Sequence, residues 1–279
     1  MEILFEVKNS TGIITLNRPN ALNALNLNMA IQFSNKLREW ENNNKIERVL
    51  LMGKGKHFCA GGDVKSVHLS GPFSKLKSEF FSKEYSLNLQ IKKFPKPYLS
   101  IWQGVVMGGG VGLSIYGDYR IATESTKFAM PETSIGFFPD VGGSFFLSRL
   151  DNNIGKYLGL TGELIQSKDL INFGLATNFC PEDKIDKLIT QYIIDGSVSN
   201  YETETSSNFS NEKLNFIKKN FSGDIYEIFN NMRALSDQEK LISKLQSKCP
   251  MSLAVTTLLI EDSLNRTLKE CLEIEYRLS

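Results

Sequence analysis

Two carboxylates stand in an apolar segment that glycine and proline interrupt, and they are the first candidates for chemistry. Glu132 and Asp140 are separated by Gly136 and Pro139, which break any helix between them, so both side chains can reach one pocket. An ionised carboxylate in apolar surroundings is costly unless it is paired or functional, so the pattern is typical of an acid–base or nucleophilic pair. The spacing leaves another interpretation open, in which Glu132 is a charge in the first turn of a helix and Asp140 is the N-cap of a helix that starts at Val141.

Two glycine-rich loops are the second candidate. Ala60, Gly61 and Gly62 follow one predicted buried strand, and the glycines at 108–110 follow another and open a helix. Glycine lets backbone N–H groups face a ligand, and two such groups near a helix start can bind a developing oxyanion. Close packing of a strand against a helix would explain the same residues. The run is not a dinucleotide-binding motif, because no acidic residue ends a second strand downstream.

The elements around these residues predict an α/β core. Strand patterns at 13–16, 49–52, 98–101 and 119–122 alternate with helical patterns at 30–40, 73–94 and 147–160, and Thr11-Gly12 marks the first hairpin turn. We expect a core over residues 1–195 and a helical C-terminal region over 196–279, joined by a polar surface linker at 197–210. The chain stops within a helical pattern at 276–279, so we expect this region to be shortened.

The bulk composition limits the function classes. The 279 residues are 41% hydrophobic and 23% charged, an ordinary globular composition with enough apolar side chains for a sizeable core. Lys and Arg number 32 against 31 Asp and Glu, a net charge of +1, so we expect neither nucleic acid nor a membrane surface as a partner. The sequence contains no run of about 18 apolar residues, so we expect no membrane-spanning helix.

Cysteine and histidine do not predict a metal centre. The four cysteines, at 59, 180, 249 and 271, form no C-x-x-C pair, and only His57 and His68 could join them. A structural zinc site needs about four clustered ligands, so we expect no metal. Scattered cysteines are typical of free thiols in a reducing compartment. The N-terminus begins a strand pattern directly and shows neither a signal peptide nor an Arg-rich transit sequence.

Four motifs, taken in order, resemble the crotonase (enoyl-CoA hydratase/isomerase) superfamily, and within it the 3-hydroxyisobutyryl-CoA hydrolase branch. They are TLNRP and LNAL at 15–25, FCAGGD at 58–63, MGGGVG at 107–112, and MPE with FPDVGG at 130–143. The resemblance runs from about residue 3 to residue 279. It implies a spiral of ββα units closed by helices, and a substrate that carries CoA, with no separate cofactor.

The resemblance also implies roles for single residues. The N–H groups of Gly109 and Gly62, or of the neighbouring Gly61, would form the oxyanion hole for the thioester carbonyl. Ala60 and Gly61 would line the adenine and pantetheine path. Glu132 would be the catalytic glutamate, as nucleophile or as base, and Asp140 the second acid. Glu84 would be a substrate-pocket glutamate, whereas its own helical context suggests a solvated charge.

One departure from the hydratase pattern favours a hydrolase. Hydratases of this family carry a second glutamate just after the glycine run, and dienoyl-CoA isomerases an aspartate near it, but this chain has Gly112 there. We therefore expect hydrolysis of a short β-hydroxyacyl-CoA, as in valine breakdown. A hydratase or isomerase on another acyl-CoA, and a non-catalytic assembly protein, are the alternatives. The family suggests mitochondria; a cytoplasmic location and a homo-oligomer stay open.

Overall fold

The computed structural model describes residues 1–71, 73–203, 206–233, 235 and 238–279, and within them the chain is mixed α/β, as the alternation of patterns predicted. The strands are β1 (Ile3–Lys8), β2 (Thr11–Leu16), β3 (Arg48–Gly53), β4 (Tyr98–Trp102), β5 (Val105–Met107), β6 (Tyr119–Ala122), β7 (Lys127–Ala129) and β8 (Asn178–Phe179). The helices are α1 (Leu27–Glu41), α2 (Val64–Leu69), α3 (Leu76–Lys93), α4 (Gly109–Gly112), α5 (Gly143–Leu147), α6 (Ile154–Thr161), α7 (Ser167–Asn172), α8 (Ile185–Asp195), α9 (Asn211–Asn220), α10 (Ile225–Arg233), α11 (Glu239–Gln246), α12 (Pro250–Asp262) and α13 (Leu268–Leu278).

The main sheet has six strands in the order β1-β2-β3-β4-β6-β8, and β5 pairs with β7 in a separate two-stranded sheet. β1 and β2 form an antiparallel hairpin. The remaining neighbours of the main sheet are parallel; Thr11 lies opposite Arg48, and Val49 lies opposite Tyr98. Parallel strands are covered on both faces, which explains why β4 is buried at every position.

The prediction for the first turn was wrong by two residues. Asn9, with φ of 51°, occupies the turn, and β2 already begins at Thr11. Gly12 lies within β2, and the position requires a glycine because the ring of Trp40 lies over it: an added Cβ would come within 2.6 Å of that ring. The glycine therefore marks close packing of α1 on the sheet, which a sequence pattern does not distinguish from a turn.

Contacts divide the chain into two compact units, of which the first comprises Met1–Phe128, Ile165–Ser206 and Ser279. Its core lies between one face of the sheet and helix α8. The buried members are Ile13, Leu50, Leu99, Ile101, Ile121, Cys180, Ile185, Leu188 and Tyr192. Burial of each such aliphatic or aromatic side chain contributes roughly 1.5–3 kcal/mol. Helices α1 and α3 are joined by hydrogen bonds between Ser34 and Gln90.

The second unit comprises Ala129–Leu164 and Ser207–Leu278. It contains α5, α6 and α9 to α13, and α6 packs on α12 at Gly159, where an added Cβ would lie 3.1 Å from Ile260. The single helix predicted over 147–160 was wrong. Asn152 and Asn153 have φ of 58° and 64°, and this left-handed backbone separates α5 from α6.

The predicted domain boundary at residue 195 stays a prediction, and the contact units divide the chain at other positions. Residues 129–164 come before that boundary in sequence and pack with the later helices. In the polar linker, residues 204 and 205 lie outside the described residues, and Tyr201 packs against the core of the first unit. Across the described residues, no helix combines the length and apolar character that crossing a membrane requires.

Candidate active site

The loop that carries Ala60, Gly61 and Gly62 runs alongside the segment that leads into the second glycine run. The Phe58 N–H donates to the Gln103 carbonyl over 2.7 Å, and the Cys59 N–H donates to Val105 over 3.0 Å. In the other direction, the Met107 N–H donates to the Cys59 carbonyl over 3.0 Å. This parallel pairing brings the two glycine loops together, as the oxyanion-hole prediction requires.

Gly62 and Gly109 place two backbone nitrogens close to each other. Gly108, with φ of 47° and ψ of −121°, makes the turn that starts α4 at Gly109. A Cβ added to Gly109 would lie 3.0 Å from the Gly62 nitrogen. Among the described residues, neither the Gly62 N–H nor the Gly109 N–H donates a backbone hydrogen bond. Two neighbouring backbone N–H donors of this kind can stabilise a developing oxyanion by hydrogen bonding. The assignment stays a prediction, and this distance supports Gly62, while Gly61, with φ of 117°, shapes the turn.

Glu84 belongs with these glycines and is not a solvated charge. It lies on the buried face of α3 and is 2% exposed. A Cβ added to Gly109 would come within 2.3 Å of its Oε1 atom, and one added to Gly62 within 3.8 Å. The interpretation from its helical context alone was therefore wrong. Its role in binding substrate stays a prediction.

The first motif fixes the glycine loop in place. Arg18 pairs with Asp63 over 2.9 Å, and the buried side chain of Asn23 donates to the carbonyls of Lys54 and His57 over 3.0 and 2.7 Å. Burial raises the pKa of Asp63, but hydrogen bonds from Ser66 and Arg18 outweigh this and leave its pKa below the ordinary value. Arg18 and Asn23 therefore hold the backbone of the glycine loop in position.

Cys59, directly before Ala60, is a poor candidate for a nucleophile. Its thiol is fully buried and donates to the Gly61 carbonyl over 3.6 Å. Burial raises the pKa of this thiol to about 12, so the reactive thiolate is scarce near neutral pH. All four cysteines are free thiols, and Cys249 is the one that is half-buried.

In the second unit, Glu132 begins a short 3-10 helix (Glu132–Ile135), and Asp140 follows after the left-handed Gly136. Both acids are buried, 7% and 6% exposed. The N-cap of α5 is Gly142, with no side-chain hydrogen bond to the cap, so the N-cap interpretation of Asp140 was wrong. Glu132 does lie in the first turn of the 3-10 helix, as the same interpretation has it, and the catalytic roles of both acids stay predictions.

Val141, next to Asp140, has φ of 52°. A β-branched residue in the left-handed region is a backbone outlier that costs on the order of 1–3 kcal/mol. Such strain persists when neighbouring contacts fix the backbone, and it is frequent at active sites.

Glu132, Asp140 and Glu275 are buried carboxylates of the second unit, and after burial itself the charge of Asp140 raises the pKa of both Glu132 and Glu275. Burial is the main cause that raises the pKa of Glu132 well above its ordinary value, followed by the charge of Asp140, with Glu275 adding to it. The Oε2 atom of Glu132 has no hydrogen-bond partner among the described residues. A carboxyl group with a raised pKa can act as a nucleophile or as a base once it is ionised.

Glu275 was missed by the sequence analysis. It is fully buried on α13, and burial raises its pKa to about 8 although Ser144 and Gly142 donate hydrogen bonds to it. A signal was present: it shares helical spacing with the buried residues Leu268, Cys271 and Leu272. An acid at such a position is either paired or functional.

Asn88 was also missed. It lies on α3 four residues after Glu84, on the same buried face, and it is 0% exposed. Neither polar atom of its side chain has a hydrogen-bond partner among the described residues. Among all the residues that the structure describes, no group of three or more His, Cys, Asp and Glu side chains is arranged to hold a metal ion.

Comparisons with known proteins agree with these motifs. The family model for enoyl-CoA hydratase/isomerase matches residues 11–279. The chain is 38% identical over 297 residues to "3-hydroxyisobutyryl-CoA hydrolase, mitochondrial" of Danio rerio, covering 100% of this chain and 78% of the relative. The Homo sapiens protein of the same name is 39% identical over 300 residues, covering 100% and 77%.

A solved structure shows the fold. The crystal structure of a carnitinyl-CoA dehydratase from Mycobacterium thermoresistibile superposes with a TM-score of 0.93 at 35% identity, covering 100% of this chain and 84% of that one. Its strands and helices therefore follow the same course as those described above. On the family match and these relatives, the chain belongs to the enoyl-CoA hydratase/isomerase, or crotonase, family.

Proposed function

We propose that this chain hydrolyses the thioester of a short β-hydroxyacyl-CoA, with 3-hydroxyisobutyryl-CoA as the expected substrate, to give 3-hydroxyisobutyrate and CoA. The observation that carries the proposal is the buried pair Glu132 and Asp140, with no hydrogen-bond partner for the Oε2 atom of Glu132 among the described residues and with the pKa of Glu132 raised by burial. The hydrolase names of relatives that align along the whole chain support it.

The proposed roles follow from the chemistry of each group. The N–H groups of Gly62 and Gly109 donate to the thioester oxygen and stabilise its negative charge as the carbonyl carbon is attacked. Glu132 either attacks that carbon itself, forming an anhydride that water then cleaves, or takes a proton from an attacking water. In both routes the carbon–sulfur bond breaks, and CoA leaves as a thiolate that takes up a proton. Asp140 accepts a hydrogen bond from the substrate's β-hydroxyl.

Gly112 separates this proposal from a hydratase. Hydration of a double bond needs one group to deliver water to Cβ and another to deliver a proton to Cα. The last residue of α4 is the buried Gly112, which has no side chain to carry a proton. We therefore expect release of free thiol from 3-hydroxyisobutyryl-CoA or 3-hydroxypropionyl-CoA, and little or no hydration of crotonyl-CoA.

The test is a thiol-release assay over a panel of short acyl-CoAs, with wild type and Glu132→Gln. The variant keeps the size of the side chain and loses its charge, so hydrolysis should fall at least about 100-fold while binding of a CoA ester persists. Glu273→Gln, which removes an exposed carboxylate, is the matched control and should retain full activity. Rapid hydration of crotonyl-CoA without thiol release would refute the hydrolase assignment.

Two further measurements define the roles. Asp140→Asn keeps a hydrogen-bonding group but removes the carboxylate, so turnover should slow and the preference for β-hydroxylated substrates should weaken. Repeated turnover in heavy-oxygen water, followed by mass spectrometry of the peptide that contains Glu132, shows which carbonyl water attacks. Label in Glu132 indicates an anhydride that water cleaves at the glutamyl carbon, and its absence indicates attack of water at the acyl carbon, as in the general-base route.

The relatives from Danio rerio and Homo sapiens are named as mitochondrial proteins. We propose the same compartment for this chain on that resemblance, and fractionation of cells that express the protein tests it.

A further inference from the structure

Glu275 joins helix α13 to the segment 140–144 that carries Asp140. Its Oε2 atom accepts a hydrogen bond from the Gly142 N–H over 2.7 Å. Its Oε1 atom accepts two from Ser144, from the N–H over 3.1 Å and from the hydroxyl over 2.5 Å. Both oxygens of one buried carboxylate are thus engaged with three donors of a single short segment.

We propose that Glu275 is a positioning residue for the proposed thioester hydrolysis: it fixes the backbone of segment 140–144 and thereby the carboxylate of Asp140. The proposal concerns the same site as the proposed function and rests on it. Glu275 itself contacts the segment's backbone and the Ser144 side chain, so it acts on the reaction through Asp140.

The segment needs an external support. Val141 and Gly142 are successive residues with positive φ, 52° and 79°, a conformation that a β-branched residue adopts only when its surroundings enforce it. At the start of α5 the N–H groups of Gly143 and Phe145 donate to the carbonyls of Asp140 and Gly142, but among the described residues the N–H groups of Gly142 and Ser144 have no backbone acceptor. Glu275, which is 131 positions away from Ser144 in the sequence, accepts hydrogen bonds from both of these N–H groups and thereby holds the turn at Val141 and Gly142.

Packing alone does not explain a glutamate at this position. The neighbouring buried positions of α13 are Leu268, Cys271 and Leu272, and an apolar residue would bury there at less cost. Burial and the charge of Asp140 both raise the pKa of Glu275, so ionising this carboxyl group costs stability. An apolar side chain could not accept the three hydrogen bonds from segment 140–144, and these bonds explain why a glutamate occupies the position.

Glu275→Gln tests this inference because it preserves shape and replaces one acceptor oxygen by an NH2 group that faces a donor N–H. We expect kcat for 3-hydroxyisobutyryl-CoA to fall on the order of 10- to 100-fold, as a displacement near 1 Å does. The preference for this substrate over isobutyryl-CoA should fall as well, since Asp140 is the group assigned to the β-hydroxyl. A residue that only stabilised the fold would lower the melting temperature and leave this preference unchanged.

Ser144→Ala is the milder second variant, since it removes one of the three hydrogen bonds and keeps the two from backbone N–H groups. It should change kcat in the same direction by a smaller factor, and in the double variant the effects should be less than additive in free energy. Glu273→Gln, on the exposed side of the same helix, is the control and should change neither kcat nor the preference.

Hydrogen exchange of the Gly142 and Ser144 amides provides a readout that needs no turnover. Exchange should be faster in Glu275→Gln than in wild type and in Glu273→Gln. Faster exchange with unchanged kcat and unchanged substrate preference would overturn the positioning role. Unchanged exchange would show that Glu275 does not hold the segment 140–144. If wild type releases no thiol from any substrate, the proposed function fails, whereas the exchange result still decides whether Glu275 holds the segment.

Discussion

Gly109→Ala tests whether the two amide nitrogens and Glu84 must keep their observed separation. The added Cβ would lie 2.3 Å from Oε1 of Glu84 and 3.0 Å from the nitrogen of Gly62, whereas ordinary van der Waals contacts begin at 3.4 Å. The Glu84 carboxylate must therefore move by about 1 Å and the Gly62 backbone by a few tenths of an ångström, and a misplacement near 1 Å at a site costs on the order of 100-fold in rate. Loss of an oxyanion donor costs about 100- to 1000-fold. We expect kcat to fall at least about 100-fold, equivalent to about 2.7 kcal/mol of the barrier.

Gly174→Ala is the matched control. Gly174 also accepts no Cβ without strain, because its φ is 69°, but nothing lies within 4 Å of the added atom. The left-handed backbone should cost that variant about 1–2 kcal/mol of stability and leave the glycine loops in place. Thiol release is measured for both variants at a temperature well below both melting transitions. A folded Gly109→Ala enzyme with near-normal kcat, or an equal loss of kcat in Gly174→Ala, would refute the reasoning.

Three further predictions follow from the charged groups. Because the folded protein raises the pKa of Glu132, stability present at low pH is lost as pH rises above the ordinary carboxylate range, so Glu132→Gln should melt above wild type at pH 8 and less so at pH 5. Hydrolysis by wild type should decline on the acid side with an apparent pKa above 4.5, since Glu132 acts ionised; a profile that stays flat through that range contradicts this role. Arg18→Gln should cost about 1–3 kcal/mol in chemical denaturation by breaking the pair with Asp63, whereas Lys8→Gln, whose partner Glu6 is exposed, should cost little.

The parts of the site that depend on short motifs could be predicted from the sequence. Strand periodicity and the glycine runs indicate where backbone N–H groups can face a ligand, and the breaks at Gly136 and Pro139 indicate that no continuous helix runs from Glu132 to Asp140. The burial of Glu84 could not be derived from its own helix, because neighbouring positions on α3 alternate between polar and apolar. It followed from the resemblance, and the structure gives its cause in the close approach of Gly109.

The parts that depend on distant contacts could not be predicted. Glu275 meets Gly142 across 133 positions, so no local pattern connects them. Gly12 was taken as a turn residue because the ring of Trp40, which requires a glycine there, comes from another element. The break at Asn152 and Asn153 was missed because asparagine is compatible with both a helix and the left-handed region, and the packing of α5 and α6 decides between them.

The link between Ser144 and Glu275 also has a consequence for protein synthesis. A ribosome that adds about 5–20 residues per second needs on the order of 10 seconds to reach position 275 after position 144. During that interval the nascent chain already holds Gly62, Gly109, Glu132 and Asp140, but the residue that fixes the strained turn at Val141 does not yet exist. Chains released early, before Glu275 is made, would carry every proposed catalytic group and still lack the geometry to use them.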